Sequence, residues 1–467
     1  MINISLELKK YVAKSVIPCY SYSYRTVVNM TKIEIVDAAF KVWGRNFYRK
    51  TSLSQLACEL KVSKPAFYRH FENKQALIAA MTDKFLDDFA SSVRDDFNKA
   101  LQETDTDKGI LILVESVAGF FARNVYALIF SLINLYERNI DGFTLSQKLK
   151  TRGADMSVFQ RVIEKKYAQM EFAQTEFAQT GFAQTSENTG KEETKIIRLA
   201  FTTLTFFMSF FHKKNKTMQK QPAVNDIQNI TSTIFKIITK GLHWTSSEIE
   251  LDFEKLEMQV EKMELNSEPE PFFKAVAQAV AEAGPWDVSM EMVAKRLGLS
   301  KSSLYGHFKN KKDMLRRLFT SEFARIISFA RQGISLSSDI AEQLYLGIFS
   351  ITVYLRSRPE ILIAMDWIRT RKLDLGKPDK NMEIFRLFED IDITRNLETE
   401  TQVSKEDDKK CISHWILFSL INILTHPAEH THTANSFIDK NVNSSVQNND
   451  IRVLYKFITL GLGGFIR

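Results

Sequence analysis

Two stretches of the chain carry the same polar chemistry at the same spacing. Ser63-Lys64-Pro65-Ala66-Phe67-Tyr68-Arg69-His70-Phe71-Glu72-Asn73-Lys74 returns as Ser300-Lys301-Ser302-Ser303-Leu304-Tyr305-Gly306-His307-Phe308-Lys309-Asn310-Lys311, 237 residues later. Ser, Lys, Tyr, His, Phe, Asn and Lys stay in register. Hydroxyls and cations on a short helix are donors for phosphate oxygens and base edges, and small residues among them allow close approach to a groove. Lys64, Pro65, Ala66 and Arg69 supply this set in the first copy, and Lys301, Ser302, Ser303 and Gly306 in the second. A lone lysine reads as a solvated helix face; the recurrence of the whole set points to function. Phe71 and Phe308 read as core. His70 and His307 fit either contact or packing.

The elements that must position these residues repeat as well. Val36, Ala39, Phe40 and Trp43 follow i, i+3, i+4, i+7 spacing, and Phe273, Val276, Ala277 and Val280 do the same, each one buried helix face. Turns follow at 46–51 and at Gly284-Pro285-Trp286-Asp287. A second helix starts at Ser52 or Ser289, with Leu56-Ala57 and Val293-Ala294 as its buried pair. Ser52 and Gln55 form a capping box that Met292 denies the second copy. A tight turn at Lys61 or Gly298 precedes a third helix capped by Ser63 or Ser300, with Pro65 tolerated in the first turn. Breaks at Asn73 and Asn310 lead into a long fourth helix. A period this long marks a duplicated domain, because solenoid periods run about 20–50 residues.

Charge is concentrated on the same two units. Of a formal net +7, residues 31–82 carry nine Lys/Arg against four Asp/Glu, and residues 269–318 carry nine against five, so the remainder is −2. Such confinement is an electrostatic footprint for phosphate. Length (467 residues) allows two to four domains. No apolar run approaches the roughly 18 residues of a membrane span, so no membrane partner is expected. Cys19, Cys58 and Cys411 offer neither a disulfide framework nor zinc spacing, which fits a reducing cytoplasm. A phosphate-binding Gly-rich loop, a nucleophile elbow and paired catalytic carboxylates are all missing, and no enzyme activity or cofactor is expected.

Both repeats continue into helical segments rich in Phe, Leu and Ile that end alike: Ile234 to Leu242 resembles Leu454 to Leu462. The expected organisation is an N-terminal extension over 1–30, a first unit over 31–82, a helical region over 83–245, an acidic connector over 246–271, a second unit over 272–318, and a second helical region over 319–467. Residues 1–29 lack a signal-peptide pattern, and Met30 is an alternative start. Ser246–Pro271 holds nine acids and two lysines. Within it Ile249, Phe253, Leu256, Val260 and Met263 form a helical seam, ended by Glu268-Pro269-Glu270-Pro271; a charged disordered linker is the competing reading. Three Phe-Ala-Gln-Thr units within 170–190 have a period of five, foreign to helix and strand, and are expected to form a loop. Phe120, Phe121, Phe206, Phe207, Phe210 and Phe211 read as core or helix-pair interface before pocket. His426, Glu429, His430 and His432 match no defined metal site, and none is assigned.

The repeated pattern resembles the N-terminal DNA-binding domain of the tetracycline-repressor (TetR) family: Val293-Ala294, Gly298, Leu299-Ser300-Lys301, Leu304-Tyr305, His307-Phe308, Asn310-Lys311. The first copy departs at Phe47 and Lys61, where the family has Gly. The resemblance implies an all-α fold of two tandem units, each a helix-turn-helix domain plus a helical bundle. It implies that Tyr68, Tyr305, Lys74 and Lys311 bond phosphates. The expected DNA-binding set is therefore Ser63, Lys64, Pro65, Ala66, Tyr68, Arg69, His70, Lys74, Ser300, Lys301, Ser302, Ser303, Tyr305, Gly306, His307 and Lys311. The implied partner is double-stranded DNA, with a small-molecule effector of unspecified identity acting on the helical regions of a transcriptional repressor. The family normally works as a homodimer. Here one chain is expected to be its own pseudo-dimer reading an asymmetric operator, with further pairing of two chains left open. The competing class is an architectural DNA-binding protein without ligand control.

Overall fold

The computed structural model describes residues 31–43, 52–60, 63–136, 142–175, 186–215, 221–245, 250–265, 271–371, 387–388, 391–395, 405–425 and 448–465. Every regular element among them is helical. Residues 1–30, Phe47, Lys61, Ile249, Glu268 to Glu270 and the His426 to His432 cluster lie outside the described residues. Contacts divide the chain into two units: one runs to Phe89 and adds Ile129–Ser131, and the other holds Ala90–Leu128 and Leu132–Arg467.

The first unit contains α1 (Lys32–Trp43), α2 (Leu53–Glu59), α3 (Lys64–Tyr68) and the start of α4 (Lys74–Gln102). Ile35, Val36 and Ala39 form the buried stripe of α1, and Leu56 and Ala57 that of α2. Phe40 is half-buried and meets Phe130 edge-on at 4.9 Å. Phe67, Phe71, Leu77 and Met81 complete this small core. Full burial of each such side chain stabilises by about 1.5–3 kcal/mol.

In the second unit the first helical region comprises α5 (Thr106–Arg123), α6 (Val125–Tyr136), α7 (Gly142–Lys150), α8 (Val158–Thr175), α9 (Ser186–Asn215) and α10 (Val224–Lys240), with Ile129–Ser131 of α6 assigned to the first unit. Helix α11 (Phe253–Glu261) follows. The duplicate then runs α12 (Pro271–Asp287), α13 (Met290–Leu297), α14 (Lys301–His307), α15 (Lys311–Ile334), α16 (Ile340–Arg356), α17 (Pro359–Arg371), α18 (Lys405–Thr425), α19 (Asn448–Leu460) and a 3-10 turn (Gly461–Phe465). Asp105 caps α5 by accepting from the N–H groups of Asp107 and Lys108, and Asp339 caps α16 through Ala341 and Glu342 in the same way. Duplication therefore extends beyond the repeated motif. The first Phe-Ala-Gln-Thr unit, expected as a loop, is instead the last turn of α8. Glu, Ala and Gln carry high helix propensity and prolong a helix already nucleated.

Three arrangements organise this unit. The first is a seam between α9 and α18 and between α10 and α19. Arg198 donates to the Asn422 side chain at 3.1 Å and to its carbonyl at 2.9 Å, and the Trp415 indole donates to Thr203 at 3.0 Å. Phe206 meets Phe418 and Phe207 meets Trp415, so these two phenylalanines serve a helix-pair interface. Phe210 stays exposed, and Phe120 packs edge-on against Phe121.

The second is a backbone crossing at the ends of α10 and α19. The Leu242 N–H donates to the Ile458 carbonyl at 2.8 Å, and that of Trp244 to the Thr459 carbonyl at 3.2 Å. Gly241 (φ 57°) and Gly461 (φ 60°) face each other so closely that a Cβ on either would lie 2.6 Å from the other's nitrogen. Only glycine fits both the left-handed backbone and the contact.

The third fastens the acidic connector. Helix α11 buries Leu256, Glu257 and Val260. Glu257 accepts two hydrogen bonds from Arg452, at 2.7 and 2.9 Å, one from the Tyr345 hydroxyl at 2.5 Å and one from Asn448 at 2.9 Å. Phe253 lies edge-on to both Tyr345 and Tyr455. The seam read from sequence is thus a docked helix, shorter than expected because it starts at the Asp252 cap.

Candidate nucleic-acid interface

Each repeated unit caps the helix that carries the polar set with a serine. In the second, Ser289 caps α13 by accepting from the Met292 N–H at 3.1 Å. The helix ends at Gly298 with φ 67°, ψ 22°, while the Leu299 N–H returns to the Ala294 carbonyl at 2.9 Å, a left-handed closure that glycine adopts without penalty. Ser300 then caps α14, accepting from Ser303 at 3.0 Å and sharing a hydrogen bond with Ser302 at 2.9 Å. The tight turn leaves Leu304 and Phe308 in the core and turns Lys301, Ser302, Ser303, Tyr305, Gly306 and His307 outward. Tyr305 keeps 48 % of its surface in solvent, a large exposure for a ring that has a core beside it. A Cβ at Gly306 would meet nothing within 4 Å, so its backbone is open to approach. His307 packs at a tilt against Phe272, ring centroids 4.5 Å apart, while remaining exposed, which bears out the packing role.

In the first unit Ser63 caps α3 by accepting from Ala66 at 3.3 Å, and Pro65 occupies the first turn. Lys64, Pro65, Tyr68, Arg69 and His70 are exposed, with Tyr68 at 46 %. Phe67 and Phe71 are buried against each other, and Lys32 lies over the Phe71 ring at 5.5 Å. Ala66 differs from expectation: it is 5 % exposed. It sits on the inner side of this five-residue helix beside Phe67, so its methyl serves packing. Its counterpart Ser303 is exposed.

The long helices begin alike. Asn73 accepts from Ala76 at 2.8 Å, and Asn310 from Asp313 at 2.9 Å. Lys74 and Lys311 are half-buried at the first helical position, where the helix end favours an anion. The sequence reading passed over Asp313, Arg316 and Arg317, which the first turns of α15 bring together; the signal available was the acid–base run after Asn310-Lys311. Another was Glu291, whose carboxylate lies 3.8 Å from the Lys301 ammonium, both groups well exposed. Such a pair is worth little. Among the described residues no cluster could hold a metal, and no single helix is long and apolar enough to cross a membrane.

Comparison with known proteins gives two matches of the same kind. Residues 35–81 and 273–318 each match the bacterial regulatory proteins of the tetR family. A curated relative, the "Uncharacterized HTH-type transcriptional regulator YuxN" of Bacillus subtilis (strain 168), is 38 % identical over 53 residues. That stretch is 11 % of this chain and 18 % of the relative.

Proposed function

We propose, from the premise that the chain carries two tetR-family DNA-binding domains in tandem, that it is a sequence-specific transcriptional regulator, a repressor that reads an asymmetric operator as a single-chain pseudo-dimer. One observation carries this reading: in each unit a buried apolar pair, Phe67 with Phe71 and Leu304 with Phe308, lies under an outward lysine and tyrosine at matching positions, twice in one polypeptide. Lys64, Tyr68, Lys74, Lys301, Tyr305 and Lys311 fix register on phosphates, while Arg69 on one side and Ser302 and Ser303 on the other meet base edges. The α9–α18 and α10–α19 seam supports the pseudo-dimer, since it joins the two helical regions through equivalent elements. Release by a small molecule acting on the helical regions is the control the family's organisation suggests.

The test is selection of duplexes from a random pool with the purified full chain, followed by footprinting. Two half-sites of different sequence, about one helical turn apart, are expected. A perfect palindrome would count against unequal reading. Salt-dependent binding without sequence preference would leave an architectural protein.

A further inference from the structure

We infer that the start of α15 in the second DNA-binding domain is a phosphate clamp, formed by Arg316 and Arg317 and held in place by Asp313. This deepens the DNA-binding reading and rests on it. Asp313 lies in the first turn of α15 and is 8 % exposed. Its carboxylate accepts from the Lys309 N–H at 3.2 Å and from Arg316 at 2.9 Å, and lies 3.3 Å from the Arg317 Nε. Burial alone would push this carboxyl up; the Arg316 and Lys309 hydrogen bonds and the Arg317 charge outweigh it and hold it below the ordinary carboxylate range.

Side chains on a helix lean towards its N-terminus, and Asp313 draws both guanidinium groups back over the first turn. Arg317 is further fixed over the Phe308 ring at 5.7 Å, directly after the recognition helix. The two arginines keep 37 % and 48 % of their side chains in solvent. They stand with Lys309, Lys311 and Lys312 on one helix start, where backbone N–H groups and the helix dipole add to the attraction for an anion. Planar guanidinium groups restrained in this way lose less freedom on meeting a phosphate than flexible lysines do.

The first domain has the capped helix start with Lys74 but lacks the triad. Residues 309–317 carry five cations and one acid, a net +4, whereas residues 72–80 at the same offset carry Glu72 and Lys74, a net of zero. Ala76, Ala79 and Ala80 stand where the second domain has Asp313, Arg316 and Arg317. The duplicated domains thus differ at this step: α15 adds a hold on the backbone that the start of α4 lacks.

The test uses the full chain and a mixed-sequence duplex of about 30 base pairs, with binding followed over salt concentration. Each phosphate contact contributes about −0.9 to the log–log slope. Replacing both arginines (R316Q with R317Q) should make the slope shallower by about 1.8, a loss of about 60-fold in affinity at 0.1 M salt relative to 1 M. A second variant guards against misfolding: grafting the triad into the first domain (A76D, A79R and A80R) should steepen the slope. An unchanged slope in the folded double variant overturns the clamp and leaves DNA binding standing. If the unmodified chain shows no salt-dependent binding, both readings fall together.

Discussion

Arg69 and Gly306 occupy the same step of the two recognition helices, both exposed. A guanidinium can fork onto guanine O6 and N7, while a bare backbone admits close approach and offers no fork. Replacing Arg69 with Ala should therefore cost about 1–3 kcal/mol of binding and relax preference in one half-site only, a result read by selecting operators with the variant. A second residue-scale test concerns Glu322, 1 % exposed in α15 and hydrogen-bonded to the Tyr354 hydroxyl at 2.7 Å. Burial pushes its carboxyl up, and the Tyr354 hydrogen bond and the Arg358 charge only partly offset this. With its folded value raised above 4.5, it favours folding most at low pH, and that contribution is lost as pH rises through the folded value. Glu322→Gln keeps the Tyr354 hydrogen bond and removes the buried charge. It should raise Tm at pH 7, with the gain vanishing near pH 4 and below. At this scale sequence legibility was uneven. The caps Ser63, Ser289 and Ser300 and the buried pairs were readable because each depends on neighbours within a few residues. Ala66 was not, because which side of a five-residue helix faces inward is settled by the helix packed against it.

The connector helix shows the same limit one scale up. Phe253, Leu256 and Val260 announced an amphipathic helix, while the charged disordered linker stayed open until the helix was seen docked on Tyr345 and Tyr455. Glu257 looked like any other of nine acids, because its partners Tyr345, Asn448 and Arg452 lie 88 to 195 residues away in sequence. Its burial raises its carboxyl, but the Arg452, Tyr345 and Asn448 hydrogen bonds prevail and hold it below its ordinary value. A depressed carboxylate stabilises above its unfolded value, and that contribution is lost as pH falls through the folded one. The dock should accordingly loosen below the ordinary carboxylate value of 4.5, seen as faster amide exchange in α11 while α16 stays protected. Glu257→Ala should cost about 2–4 kcal/mol at neutral pH. Breaking a fully buried pair costs about 3–5 kcal/mol, reduced here because Arg452 retains 27 % exposure. Because α11 directly precedes the second DNA-binding domain in the chain, that variant should also weaken duplex binding.

For the whole molecule the decisive question is whether the two helical regions act as one body. Sequence showed that both end in Gly-Leu; it could not show that the two glycines meet, since no local pattern encodes a contact 220 residues apart. Gly241 and Gly461 approach through backbone atoms on both sides, so neither a rotamer change nor a shift of a flexible side chain can relieve an added methyl. Gly461→Ala would place its Cβ 2.6 Å from the Gly241 nitrogen and the Ile238 carbonyl, at a φ of +60°. The left-handed conformation alone costs about 1–2 kcal/mol. Separating the chains would also break the Leu242–Ile458 and Trp244–Thr459 hydrogen bonds, at about 0.5–1.5 kcal/mol each. A total loss of about 2–5 kcal/mol in denaturant unfolding is expected. The functional consequence follows from the joint. Under the proposed single-chain reading of two half-sites, opening the crossing should shrink the footprint to one half-site at limiting protein. If Gly461→Ala instead left both stability and footprint length unchanged, the proposal of a single-chain pseudo-dimer held by the crossing would fall.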